Sequence, residues 1–264
     1  MINKVHHINC GSMLFLNRVP VVCHVLVIET GNGLVLVDTG FGVEDVRDPT
    51  RIGPISNRRM IGPQLDMEET ALFQIRRLGY DPSDVRHIIL THLDNDHVGG
   101  VADFPKALVH TTAAEAHIAL SGGRKARRYQ PGQMPNPERI IGHPPGRETW
   151  KGFKNVLPLS EISDGLALVP FPGHTLGHAC VAVDVGTTTL LHCGDAFYHR
   201  GVLDRNVKVP FVVKMEEVIF GMQPWTLRKN HQQLRALYRD INSNVDIICA
   251  HDPEMLRKYI SSDK

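Results

Sequence analysis

Four times along this chain an apolar, β-branched run is followed at once by histidine, aspartate or both. His87–Thr91 (HIILT) runs into His92-Leu93-Asp94-Asn95-Asp96-His97, and Leu166–Phe171 leads to Gly177-His178. Thr188–Cys193 ends in Gly194-Asp195, and Val245–Ala250 delivers His251-Asp252. Charged side chains packed so densely behind a buried strand are costly unless something pairs with them. If the runs are neighbouring strands, their ends point into one crevice, where α/β chains place ligands. The fold must therefore bring four distant segments to a common sheet edge.

The remaining pattern predicts strands alternating with helices, an α/β chain. Val21–Glu29 and Leu34–Asp38 read as a hairpin joined through Thr30-Gly31-Asn32-Gly33. Residues 42–66 show no period and read as an irregular loop. Glu68–Leu78 places Ala71, Leu72, Ile75 and Leu78 on one helical face, with Gly79 as C-cap. Ala107–His110 reads as a strand and Thr112–Leu120 as a helix. Ala179–Val185 and Thr188–Cys193 are strands joined at Gly186. Pro224–Ile241 has helical spacing, with Trp225, Leu234, Leu237 and Tyr238 as candidates for its buried face. Residues 121–152 differ: Arg124, Lys125, Arg127, Arg128, Arg139, Arg147 and Lys151 lie among many Gly and Pro, as in a surface excursion or lid. No linker divides the chain, so one domain over residues 1–264 is expected.

Composition removes several classes of function. A 42% hydrophobic fraction can repay the entropy of ordering, which excludes disorder. With 29 basic and 28 acidic residues the net charge is +1, too small for polyanion binding by bulk charge. No apolar run approaches the roughly 20 residues of a membrane span. The N-terminal residues lack the apolar segment of a secretion signal. Five scattered cysteines without a CxxC pair read as reduced thiols of a cytoplasmic protein. Serine-hydrolase elbows, P-loops and zincin helices are missing.

Imidazoles and carboxylates at strand ends suit divalent transition metals. They are too many for one tetrahedral ion; two ions sharing a carboxylate would use them all. Gly99-Gly100 then lets the backbone turn sharply into a helix.

These residues also carry a resemblance. Thr91-His92-x-Asp94-x-Asp96-His97-x-Gly99-Gly100 resembles the HxHxDH motif of the metallo-β-lactamase-fold hydrolases. Gly177-His178, Gly194-Asp195 and His251 are similar to that family's remaining ligand motifs, in order, and Val37-Asp38-Thr39-Gly40 resembles its early strand–turn marker. The resemblance implies an αββα four-layer sandwich of two mixed sheets and a dinuclear metal-dependent hydrolase. It implies that His92, Asp94 and His178 hold a first ion, that Asp96, His97 and His251 hold a second, and that Asp195 bridges them. Within the family, Val19-Pro20-Val21, the Leu78-Gly79…Pro82-x-Asp84 run and Tyr198 resemble the quorum-quenching lactonase and pyridoxolactonase branch. That branch opens lactones and carries an active-site tyrosine where Tyr198 stands, so Asp96 and Tyr198 are the implied catalytic residues. A packing role for Tyr198 stays open.

One position departs from the pattern. Asp94 stands where the family has its second histidine, which makes the first site harder and more anionic. Two zinc ions are the expected cofactors, with manganese or iron gaining ground. A phosphodiesterase or nuclease on the same fold, and a di-iron redox protein, remain alternatives. His174, His192 and His199 read as structural or as partners that orient ligands. A small-molecule substrate is expected, anionic if Arg124–Arg128 faces the cleft. No nucleic acid or membrane partner is expected, and a homodimer is compatible with the sequence.

Overall fold

The computed structural model describes residues 1–16 and 18–260. Its first sheet holds β1 (Ile2–Phe15), β2 (Val19–Thr30), β3 (Gly33–Val37), β4 (Val85–Ile89), β5 (Leu108–Thr112) and β6 (Ile140–His143), side by side in chain order. The first three strands pair antiparallel; from β3 to β6 the pairing is parallel. The second sheet holds β7 (Glu148–Trp150), β8 (Phe153–Pro158), β9 (Leu166–Pro170), β10 (Ala179–Asp184), β11 (Thr189–His192) and β12 (Val245–Ile248). Here only the last pair, β11 with β12, is parallel. Among the described residues there are eight α-helices: α1 (Val43–Arg47), α2 (Ile55–Ile61), α3 (Ala71–Arg77), α4 (Asn95–Val98), α5 (Ala113–Leu120), α6 (Phe211–Phe220), α7 (Pro224–Arg239) and α8 (Pro253–Ile260).

The layering follows from side-chain alternation along the strands. Val25 and Val27 of β2 share a core with Ile75 of α3, while Leu26 and Ile28 on the opposite face meet Leu168, Val181 and Val183 of the second sheet. The reverse face of β10, with Cys180 and Ala182, packs against Leu234 and Leu237 of α7. Three apolar cores thus separate four layers: helices, sheet, sheet, helices. Central strands buried on both faces read as continuous apolar runs, which is why β2, β3 and β10 were legible.

The hairpin closes as expected, with Thr30 opposite Gly33. Elsewhere the structure corrects the sequence reading. Residues 42–66 contain α1, α2 and a 3₁₀ turn at Pro49–Ile52. Residues 121–152 carry 3₁₀ turns at Arg124–Arg128 and Pro137–Arg139, then one strand for each sheet. On α7, Leu234 and Leu237 are buried, but Trp225 is 77% exposed and Tyr238 49%. The five cysteines are free and buried, and no helix among the described residues is long and apolar enough to cross a membrane.

Candidate metal centre

The loops that leave β4, β9, β11 and β12 meet at one edge of the two sheets. Backbone hydrogen bonds stitch them together: Ala179 N–H donates to Thr91 O at 2.9 Å, and Ala250 N–H to Gly194 O at 3.1 Å. Gly194 sits at φ +47°, and a Cβ there would stand 2.6 Å from Thr91 Oγ1 and 2.9 Å from His178 Nε2. Only glycine lets the Asp195 loop come this close.

Two groups of donors converge on Asp195. Its Oδ2 lies 3.2 Å from His174 Nε2 and 3.7 Å from His92 Nε2, and both nitrogens also face Asp94 Oδ2, at 2.9 and 3.2 Å. Its Oδ1 lies 3.1 Å from His97 Nε2 and 3.0 Å from His251 Nε2; the latter is 3.4 Å from Asp96 Oδ2. Donors about 2.0–2.1 Å from a tetrahedral ion stand roughly 3.3 Å apart, which matches these separations.

Each imidazole is aimed by its other nitrogen. His97 Nδ1–H donates to Asp38 Oδ2 at 2.8 Å, and His251 Nδ1–H to Val22 O at 2.7 Å. His92 Nδ1 meets Thr91 Oγ1 at 3.1 Å, and His174 Nδ1 meets Tyr198 Oη at 3.1 Å. Such outer partners fix the tautomer and ring orientation of metal-ligating histidines. Asp38 does this from φ +58°, a strained region for a side-chain-bearing residue, and also accepts the Thr91 N–H at 2.8 Å.

With Nδ1–H committed, a neutral His97 turns an Nε2 lone pair toward the Asp195 carboxylate. A cation or a proton has to lie between them. His92 Nε2, His97 Nε2 and Asp195 Oδ1 are buried with no hydrogen-bond partner among the described residues. Unpaired buried groups cost about 1–3 kcal/mol each, so the cluster fits a divalent ion. Without one, protons take that place. Burial works against the charge of His97 and His251, but Asp195 and the other carboxylates hold His97 well above the usual imidazole range and His251 up to about 9. Burial likewise opposes ionised Asp195, yet His251, His97 and His174 hold it well below the usual carboxylate range.

Of the residues singled out from sequence, His92, Asp94, Asp96, His97, Asp195 and His251 are brought together. His178 is set apart, because both its ring nitrogens are engaged by backbone. Nδ1–H donates to Phe171 O and Nε2 accepts the Asp195 N–H, each at 3.1 Å. His174, read as structural or as a partner that orients ligands, delivers its Nε2 to the cluster instead. Gly173-His174 and Gly177-His178 present the same dipeptide four residues apart, and only loop geometry separates them. Glu115 on α5 was missed altogether. Fully buried, it accepts from Leu93 N–H, Thr175 Oγ1–H and Gly177 N–H at 3.0, 2.7 and 3.2 Å, tying together two donor-bearing loops.

A cavity of about 190 Å³ opens over the donors. Met13, Ile61 and Phe220 contribute apolar lining; Arg127, Arg128 and Gln130 contribute polar lining. Tyr198 faces it from the floor, its phenol pushed up by burial and by Asp195 and so kept protonated. Because His174 Nε2 takes an Arg128 N–H at 2.7 Å, the imidazole proton sits on Nδ1 and goes to the Tyr198 oxygen, so the phenol O–H can donate elsewhere. The expected surface run 124–128 turns one member inward: Arg128 Nε donates to Asp94 Oδ1 at 2.5 Å, and a terminal nitrogen reaches Oδ2. Burial favours neutral Asp94, but Arg128 and His92 hold its carboxyl well below the usual range.

Comparisons with known proteins give a family and a fold. The model of the "Metallo-beta-lactamase superfamily" matches residues 18–243. Probable metallo-hydrolases of Mycobacterium bovis and Mycobacterium tuberculosis are each 49% identical over 254 residues, covering 96% of this chain and 81% of theirs. An N-acyl homoserine lactonase of Bacillus cereus is 27% identical over 224 residues, 81% of each chain. Among solved structures, an N-acyl homoserine lactone hydrolase with N-hexanoyl-L-homoserine at its catalytic metal centre gives a TM-score of 0.70 at 21% identity, covering 98% of this chain and 96% of that one. At that identity the likeness is one of fold: the αββα sandwich of two mixed sheets expected from the motifs.

Proposed function

The chain belongs to the metallo-beta-lactamase superfamily and is a metal-dependent hydrolase; we propose that it is a dinuclear one that opens a lactone or a closely related ester. The observation that carries this reading is Asp195, which offers one carboxylate oxygen to His97 and His251 and the other to His92 and His174. On this reading His92, Asp94 and His174 would hold one ion, Asp96, His97 and His251 the other, with Asp195 shared. Zinc suits the donor set, and the extra carboxylate of Asp94 also admits manganese or iron. Bound ions would supply Lewis acidity and a water acidic enough to act as a nucleophile near neutral pH.

The chain's own residues would do the rest. Asp96 lines the pocket, its side chain 15% exposed, and can take a proton from water entering there. The Tyr198 O–H would donate to the oxygen that gains charge as the carbonyl is attacked, a role supported by the His174 bond that fixes its oxygen. Met13, Ile61 and Phe220 would receive the apolar part of the substrate, while Arg127 favours an anionic one. Both sheets contribute to one centre, which supports reading the chain as a single domain.

Purified, metal-loaded protein should be assayed against lactones, thioesters, β-lactams and bis-p-nitrophenyl phosphate. Lactone turnover that disappears in Asp195→Ala and His97→Ala is expected. Cleavage of the phosphodiester alone would replace this reading with a phosphodiesterase. Tightly held iron with electron transfer and no hydrolysis would replace it with a redox protein.

A further inference from the structure

The donors of the two groups are not equally free. In the second group His97 Nε2 and Asp195 Oδ1 have no hydrogen-bond partner among the described residues, and in the first group the same holds for His92 Nε2. Asp94 and His174, by contrast, are already occupied. The Arg128 guanidinium lies along the Asp94 carboxylate, with Nε 2.5 Å from Oδ1 and a terminal nitrogen on Oδ2. That same nitrogen stands 2.7 Å from His174 Nε2, and the other terminal nitrogen donates to Phe220 O at 2.6 Å. A two-pronged guanidinium–carboxylate contact is among the stronger charge-assisted pairs, and here it is largely buried.

We propose that Arg128 is the resident cation of the first site. It neutralises Asp94 and sets one terminal nitrogen against both Asp94 and His174, so the two candidate metal positions are unequal. The position at Asp96, His97, His251 and Asp195 takes its ion first. The position at His92, Asp94 and His174 takes one only when Arg128 leaves His174. The pairing also accounts for the aspartate: an aspartate with its arginine has no net charge, as a neutral imidazole has none. This inference rests on the metal-hydrolase reading and adds the order in which the ions enter.

Zinc titration of stripped protein by calorimetry, with elemental analysis after dialysis, tests it without any measure of activity. Wild type is expected to retain one equivalent and to bind a second weakly. Arg128→Met should leave the first equivalent unchanged and tighten the second by about 10- to 100-fold, the scale on which partners of metal ligands shift affinity. Arg128→Lys keeps the charge but cannot span both carboxylate oxygens and His174, so its second equivalent should fall between the two. Two indistinguishable equivalents in wild type, or equal second affinities in all three proteins, would overturn the proposal and leave the hydrolase reading standing. A wild type that binds no zinc, manganese or iron would end both.

Discussion

His178 Nε2 accepts the backbone N–H of Asp195 at 3.1 Å. A fully buried imidazole thereby becomes part of the scaffold that presents the shared carboxylate, and burial together with the neighbouring imidazoles His92 and His174 holds it neutral. His178→Ala leaves the Asp195 N–H and Phe171 O without these partners, so a loss of about 1–3 kcal/mol per stranded group is expected in urea unfolding. The folded variant should titrate with zinc as wild type does, with one retained and one weak equivalent, whereas His174→Ala should lose the weak second equivalent. Equal metal loss in both variants would return His178 to the ligand set.

Asp38 supports a second test. It is charged, holds His97 Nδ1–H at 2.8 Å and reaches no ion position itself. Burial opposes that charge, but His97 beside it brings the carboxyl down to about 2. Asp38→Asn removes the charge that favours one His97 tautomer. Competition with a chelator should show affinity for one ion lowered about 10- to 100-fold. An unchanged affinity would reduce Asp38 to a backbone clamp.

These two residues also show where a sequence can be read and where it cannot. The fold was legible in strands such as β3 and β10, which are buried on both faces and read as nearly unbroken apolar runs. β1 was not, because its period of two slips once. Ile8 and Cys10 are buried, a bulge falls between Asn9 and Ser12, and Met13 and Phe15 then carry the opposite phase. α6 was missed because its polarity is inverted. Phe211, Val218 and Ile219 are exposed, while Glu216 is buried with one oxygen unpartnered. At the site, donors adjacent to strand ends were readable from spacing. That His174 rather than His178 turns its Nε2 to the other donors depended on which ring the backbone engages, and the inward turn of Arg128 depended on a contact 34 residues away in sequence.

Tyr198 gives a rate prediction that separates chemistry from packing. Its oxygen accepts from His174, and its own proton is free to donate into the cavity. Tyr198→Phe keeps the ring among its neighbours and removes only the hydroxyl. Turnover should fall by about 10²–10³-fold with metal content unchanged, the range for loss of one oxyanion donor. A wild-type rate would leave the tyrosine as a packing residue.

Away from the site, three histidines on neighbouring strands form a chain. His87 Nδ1 meets His110 Nε2, and His110 Nδ1 meets His143 Nε2, both at 2.9 Å. Two such bonds in series require a neutral His110, which donates through one ring nitrogen and accepts at the other. A proton added to His110 would remove the lone pair that one bond needs. Burial first, and then His87 and His143, lower the His110 pKa from 6.5 to about 3. The unfolded chain therefore binds a proton at this residue near pH 6.5, while the folded chain resists until about 3. The stabilisation is complete above 6.5 and is lost as pH falls toward 3, at up to roughly 1.4 kcal/mol per pH unit for one proton. His110→Gln cannot titrate, so its urea midpoint should fall less steeply than that of wild type across this interval. Parallel slopes for the two proteins would show that His110 takes up its proton while the sheet remains folded.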